Sequence, residues 1–143
     1  MIETLKLFLV LYLFFVLLLY VGQRKLMYLP TPVSNYAEEA RITFQVNEQS
    51  LTAWQLNPGK SQALMYFGGN AESVEANIDD FKEIFPSYTL YLIAYRGYGG
   101  STGEPTEEGL KADALAIYEQ LASEHRYISV MGRSLGSGVA VHL

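Results

Sequence analysis

From Leu7 to Val21 every residue is apolar or aromatic, and this run confines the first segment of the chain to one kind of environment. A helix in a small globular domain needs a polar face for water, and a helix built from this run has none. Counting Ile2, Leu5 and Gly22, with Lys6 reaching back to the surface, about 20 residues can cross a hydrocarbon layer roughly 30 Å thick. A cleaved secretory signal would need a small-residue cleavage site, and Gly22-Gln23-Arg24-Lys25 offers none. The expectation is an uncleaved signal-anchor over residues 1–22, with residues 2–21 contacting membrane lipid in a single pass. The N-terminal amine and Lys6, partly offset by Glu3, oppose Arg24 and Lys25, so charge leaves open which side of the membrane the rest of the chain occupies.

Residues 23–35 read as a linker in which Leu29-Pro30-Thr31-Pro32 is a hinge, and residues 36–143 as a single domain. Setting the anchor aside leaves about 120 residues, enough for one small core. The net charge of −5 gives no basic footprint, so nucleic acid is not an expected partner. There is no cysteine, which excludes a disulfide framework, a thiolate zinc site and a cysteine nucleophile. His125 and His142 are too few and too isolated for a metal centre, and no cofactor is expected.

Ile42, Phe44 and Val46 alternate with polar residues, Asn47-Glu48-Gln49-Ser50 reads as a turn, and Leu51 to Leu56 as the returning strand of an antiparallel pair. Three later runs lack alternation, as strands buried on both faces do: Ala63–Phe67, Leu90–Ala94 and Tyr127–Met131. Helical spacing separates them. Val74, Ile78, Phe81 and Phe85 mark one helix that Pro86 ends. Leu110, Ala114, Ile117, Tyr118 and Leu121 mark the next, with Thr106 as its N-cap and Glu107 and Glu108 favourably placed at its dipole. Strands alternating with helices imply parallel crossovers in an α/β sheet.

The third apolar run leads into Gly132-Arg133-Ser134-Leu135-Gly136, followed by Val139, Ala140, Val141 and Leu143, which suit a buried helix. A G-x-S-x-G sequence at a strand-to-helix turn is a nucleophile elbow: the sharp turn lifts the serine, and glycines let the backbone pass close by. Phosphate-binding alternatives fit poorly. The segment lacks the Lys-Ser/Thr pair of a P-loop, its glycines do not match G-x-G-x-x-G, and it comes late in the chain.

Four motifs stand in a familiar order: Gln23 to Pro30 (QRKLMYLP), Tyr66 to Glu72 (YFGGNAE), Tyr95 to Thr106 (YRGYGGSTGEPT), and the elbow. Together they resemble the membrane-anchored, α/β-hydrolase domain-containing serine hydrolases. The resemblance covers nearly all of this chain but only the first half or so of the family domain. It implies a mostly parallel α/β-hydrolase sheet, truncated after the elbow, with an antiparallel strand pair at its start. It also implies ester, thioester or amide hydrolysis of a small molecule through an acyl-serine. Matched position by position, Ser134 is the nucleophile, and the main-chain N–H groups of Leu135 and Asn70 are the oxyanion donors. The family usually carries His where this chain has Gly68, which main-chain donors tolerate, and an acidic residue where it has Ala94.

In that fold the triad acid and histidine follow the serine. His142, eight residues past Ser134 on one helix, lies about 12 Å away along the axis, beyond the ~3 Å reach of a general base. His125 precedes the last strand and should lie at the far end of the sheet, as a solvated residue at a helix end. Asp79, Asp80 and Asp113 read as solvated or helix-pairing charges. The chain is therefore expected to be a truncated or frameshifted piece, feebly active alone, with the strand Tyr127–Met131 left at an open edge. A non-catalytic, membrane-anchored binding or scaffold protein is the alternative.

Overall fold

The computed structural model describes residues 2–143. Helix α1 (Ile2–Met27) runs 26 residues without a buried side chain, about 39 Å at 1.5 Å per residue. It continues past residue 22 through Arg24 and Lys25. Tyr28, whose N–H bonds the Arg24 carbonyl at 2.9 Å, then turns inward and is buried. Leu29-Pro30-Thr31-Pro32 is not the free hinge that its composition implies. The Gly99 N–H donates to the Thr31 carbonyl at 3.0 Å, and the Leu29 N–H is held by two side chains of the domain. Proline gives up an N–H but keeps its carbonyl, and extended Pro-rich backbone remains available for bonding of this kind.

Strands β1 (Arg41–Val46) and β2 (Gln49–Leu56) form the expected antiparallel hairpin, with Val46 opposite Gln49. The turn is tighter than the four residues expected. Asn47 adopts a left-handed φ of 53°, which its short polar side chain tolerates, so Gln49 and Ser50 already pair. Strands β3 (Gln62–Phe67) and β4 (Thr89–Ile93) are buried almost throughout. With Trp54 and Leu56 they supply most of the large, fully buried side chains, each worth about 1.5–3 kcal/mol.

Between them, a single 3-10 turn (Val74–Asn77) leads into α2 (Ile78–Ile84), where Phe81 meets the Tyr66 ring edge-on at 4.8 Å. Helix α3 (Glu107–Leu121) starts at Thr106, whose side-chain oxygen accepts the Gly109 N–H at 3.0 Å. Leu110, Ala114, Ile117 and Leu121 are its buried face, with Tyr118 at the margin. Strand β5 (Tyr127–Gly132) and α4 (Leu135–His142) complete the chain of elements.

The sheet order is β1-β2-β4-β3-β5, antiparallel where β1, β2 and β4 meet and parallel where β4, β3 and β5 meet. The hairpin thus joins the parallel strands through a second antiparallel contact, β2 with β4. From β3 the chain moves to β4 on one side, then returns across β3 to β5 on the other. Loops leaving β3 and β5 consequently diverge, and in α/β sheets that reversal opens the ligand crevice at the carboxyl ends of the strands. Phe67 and Gly132, the last residues of β3 and β5, lie opposite each other in the register.

Two apolar segments are less covered than their composition implies. β5 pairs only with β3, so its side chains stay partly exposed, Tyr127 by 58%. On α4, Gly136 and Val139 are buried but Val141 is 87% exposed, because the helix rests on the sheet along one narrow face.

Candidate active site

The elbow is built by close main-chain packing. Ser134 sits at φ 51°, ψ −111°, a conformation costing a non-glycine residue of the order of 1–3 kcal/mol. What holds it there is the contact on either side. A Cβ on Gly132 would overlap the main chain of Gly136, and a Cβ on Gly136 would overlap the Phe67 carbonyl. The Arg133 N–H donates to the Phe67 carbonyl at 3.0 Å and the Gly136 N–H to the Gly68 carbonyl at 3.1 Å. The turn after β5 is thereby stitched to the end of β3, and the G-x-S-x-G pattern has its expected geometry.

Gly68, Gly69 and Asn70 bring the β3 loop over this turn. A Cβ on Gly69 would lie 3.7 Å from that of Ser134, and the two loops enclose a cleft of about 390 Å³ lined by Gly69, Asn70, Ala71, Glu72, Arg133 and Ser134. The Gly69 N–H is occupied by a Glu72 carboxylate oxygen at 2.5 Å. Among the described residues, the Leu135 and Asn70 N–H groups have no hydrogen-bond partner. All three residues singled out by the sequence (Ser134, Leu135 and Asn70) therefore lie at one place.

Four residues around the cleft carry no assignment from sequence. Burial pushes the Glu72 carboxyl up, but the Gly69 N–H, the Tyr66 hydroxyl, the Asn77 amide and the Arg133 charge together hold it below its ordinary value. Tyr66, which donates to Glu72 at 2.7 Å, is pushed up to about 12, first by burial and then by that carboxylate. Tyr95 donates to the Gly68 carbonyl at 2.6 Å and is raised by burial. Arg133 approaches Glu72 at 3.7 Å, and its side chain is 69% exposed. All four lie within the motifs of the sequence, but only the spacing of Glu72 three residues after Gly69, like the reach of a capping box, points to a specific contact.

The remaining titratable candidates lie elsewhere. His125 is at the far end of the sheet as expected, but it is fixed rather than solvated. Its Nδ1 donates to the carbonyl of Lys60, just before β3, and its Nε2 meets the Tyr91 hydroxyl at 2.9 Å. His142 closes α4, two turns from Ser134. Asp113, expected to be a solvated or helix-pairing charge, is buried and paired, accepting two bonds from Arg96 at 2.7 and 2.5 Å. Ala94 is buried against Gly99, where a small residue fits.

No family model matches the chain. Protein bem46 of Schizosaccharomyces pombe is 32% identical over 126 residues, covering 80% of this chain and 42% of that protein. The uncharacterized membrane protein YNL320W of Saccharomyces cerevisiae is 30% identical over 122 residues, covering 79% and 43%. The lysophosphatidylserine lipase ABHD12 of Danio rerio is 32% identical over 85 residues, covering 56% and 22%. An esterase from Pyrococcus furiosus superposes with a TM-score of 0.65 at 19% identity, covering 80% of this chain and 49% of its own, a likeness of fold. The chain spans less than half the length of these curated relatives.

Fold and elbow thus define an α/β-hydrolase. The chain belongs to the α/β-hydrolase family, and one of its relatives, YNL320W, is named as a membrane protein, in keeping with the apolar N-terminal helix here.

Proposed function

We propose that this chain carries the nucleophile and oxyanion donors of a single-pass, membrane-anchored serine hydrolase cleaving an acyl ester, thioester or amide. Ser134 Oγ attacks the acyl carbon, and the oxyanion that forms is received by the N–H groups of Leu135 and Asn70. The intermediate collapses, releasing the alcohol, thiol or amine with a proton and leaving an acyl-serine that water hydrolyses. The observation carrying this reading is the Ser134 backbone, held at φ 51° between two glycines that admit no Cβ. Strain of this kind persists only where the surroundings impose it.

Neither His125, bonded at the opposite end of the sheet, nor His142, two turns along α4, is placed to serve Ser134. On this reading the general base that activates Ser134 is neither of these histidines. The lipase name of one relative favours an acyl ester among the three substrate classes.

The test is fluorophosphonate labelling of the protein as its own gene expresses it, in its native membranes. Labelling lost in Ser134→Ala is expected. Wild-type protein that is folded and unlabelled would establish the non-catalytic scaffold instead.

A further inference from the structure

Asn70 has a second task, performed by its side chain. Its Nδ2 donates to the Met27 carbonyl at 2.7 Å, while its Oδ1 accepts from the Leu29 N–H at 2.9 Å and from the Tyr98 hydroxyl at 2.8 Å. The Tyr98 hydroxyl in turn accepts from the Leu29 N–H at 3.0 Å. One amide thus bonds both to the last residue of α1 and to the backbone just after it, across 41 and 43 positions of sequence. Only a group that both donates and accepts satisfies this arrangement. Asparagine does so, aspartate keeps just the accepting half, and alanine keeps nothing.

The loop is secured on its other flank by Glu72, which holds the Gly69 N–H. Asn70 lies between that bond and the anchor, beside Ser134 in the cleft. An oxyanion donor lowers the barrier only when it is already aimed, because reorienting it during reaction forfeits the gain. Resting on the hydrolase reading above, we propose that the Asn70 side chain is a positioning group. It fastens the oxyanion loop to the exit of the membrane helix, so that the last turn of α1 is part of the active-site framework. Tyr98 is the second member of the joint.

Two measurements test this on the whole protein in its native membranes or extracted with lipid: amide hydrogen exchange, and the kinetics of fluorophosphonate labelling. In Asn70→Ala, exchange is expected to rise together at residues 27–29 and 68–72, with the β1–β2 hairpin unchanged. The labelling rate constant should fall about tenfold at an unchanged end point, less than the ~10²–10³ lost when a donor is removed outright. Asn70→Asp should fall between, because it keeps the acceptor for Leu29 and Tyr98. Tyr98→Phe, which preserves shape, should show a smaller version of the same pattern and decides the matter if Asn70→Ala does not fold.

Unchanged exchange at residues 27–29 in these variants would overturn the joint. Raised exchange with an unchanged rate constant would overturn positioning, as would a lower end point with the rate constant kept, which marks loss of folded protein alone. Wild-type protein that never labels, with exchange rising as expected, would overturn the hydrolase reading and the positioning role together while leaving the joint in place.

Discussion

Gly136 and Phe67 are in main-chain contact, the nucleophile helix resting its first turn directly on the carbonyl that ends β3. The position admits no side chain. Gly136→Ala is therefore expected to cost about 3 kcal/mol or more, because the clash is with backbone that cannot turn aside. Gly138, on the same helix with nothing within 4 Å of a Cβ, is the matched control. Gly138→Ala should be neutral or stabilising by up to ~1 kcal/mol through helix propensity. Urea midpoints of the two variants check the contrast, and similar midpoints would contradict it.

Arg96 and Asp113 form a two-pronged ion pair whose side chains are only 19% and 7% exposed. Gly109 makes the space, since a Cβ there would lie 2.7 Å from the guanidinium. Removing one partner leaves the other charge buried and uncompensated, so Asp113→Ala should cost about 3–5 kcal/mol. Chemical denaturation measures it, and a loss under 1 kcal/mol would mean that water reaches the pair.

Glu72 sets an acid limit. Its folded value is held below the usual 4.5, so the stability it confers is present above that value and disappears as pH falls through the lowered one. Thermal melts of wild type and Glu72→Gln should differ most near neutrality and converge as the acid range is entered. A gap that widens on acidification would reverse the assignment.

Residues 2–21 should keep the protein in the membrane pellet through an alkaline carbonate wash, since about 20 apolar residues partition far more firmly than a peripheral contact. The N-terminus should remain uncleaved. Sequencing a soluble product that starts near Gly22 would refute both expectations.

The parts of this fold that announce themselves are those built from local pattern. The runs Ala63–Phe67 and Leu90–Ala94, the Thr106 cap and the G-x-S-x-G spacing around Ser134 are each written in residues a few positions apart, and each stands within a residue of where the spacing puts it. What escaped notice depends on distant partners. Asp113 looks solvated until Arg96, 17 positions earlier, is folded over Gly109. Leu29-Pro30-Thr31-Pro32 looks like a hinge until Asn70, Tyr98 and Gly99 close on it. Tyr127–Met131, by contrast, has the composition of an interior strand but stands at the open edge expected of it, paired with β3 alone. At the cleft the serine was legible, but the carboxylate and tyrosines beneath its loop were not, because no periodicity encodes a hydrogen bond across a loop.

The bonds from Asn70 to Met27 and Leu29 also determine how this protein explores its surroundings. A domain on a slack tether sweeps a volume and meets molecules in proportion to their bulk concentration. On the membrane-anchored reading proposed above, a domain fastened at the very exit of its helix stands at a set height above the lipid and drifts with it in the plane. The number that governs its encounters is then a density per unit area of bilayer, and diluting the surrounding water leaves that number unchanged.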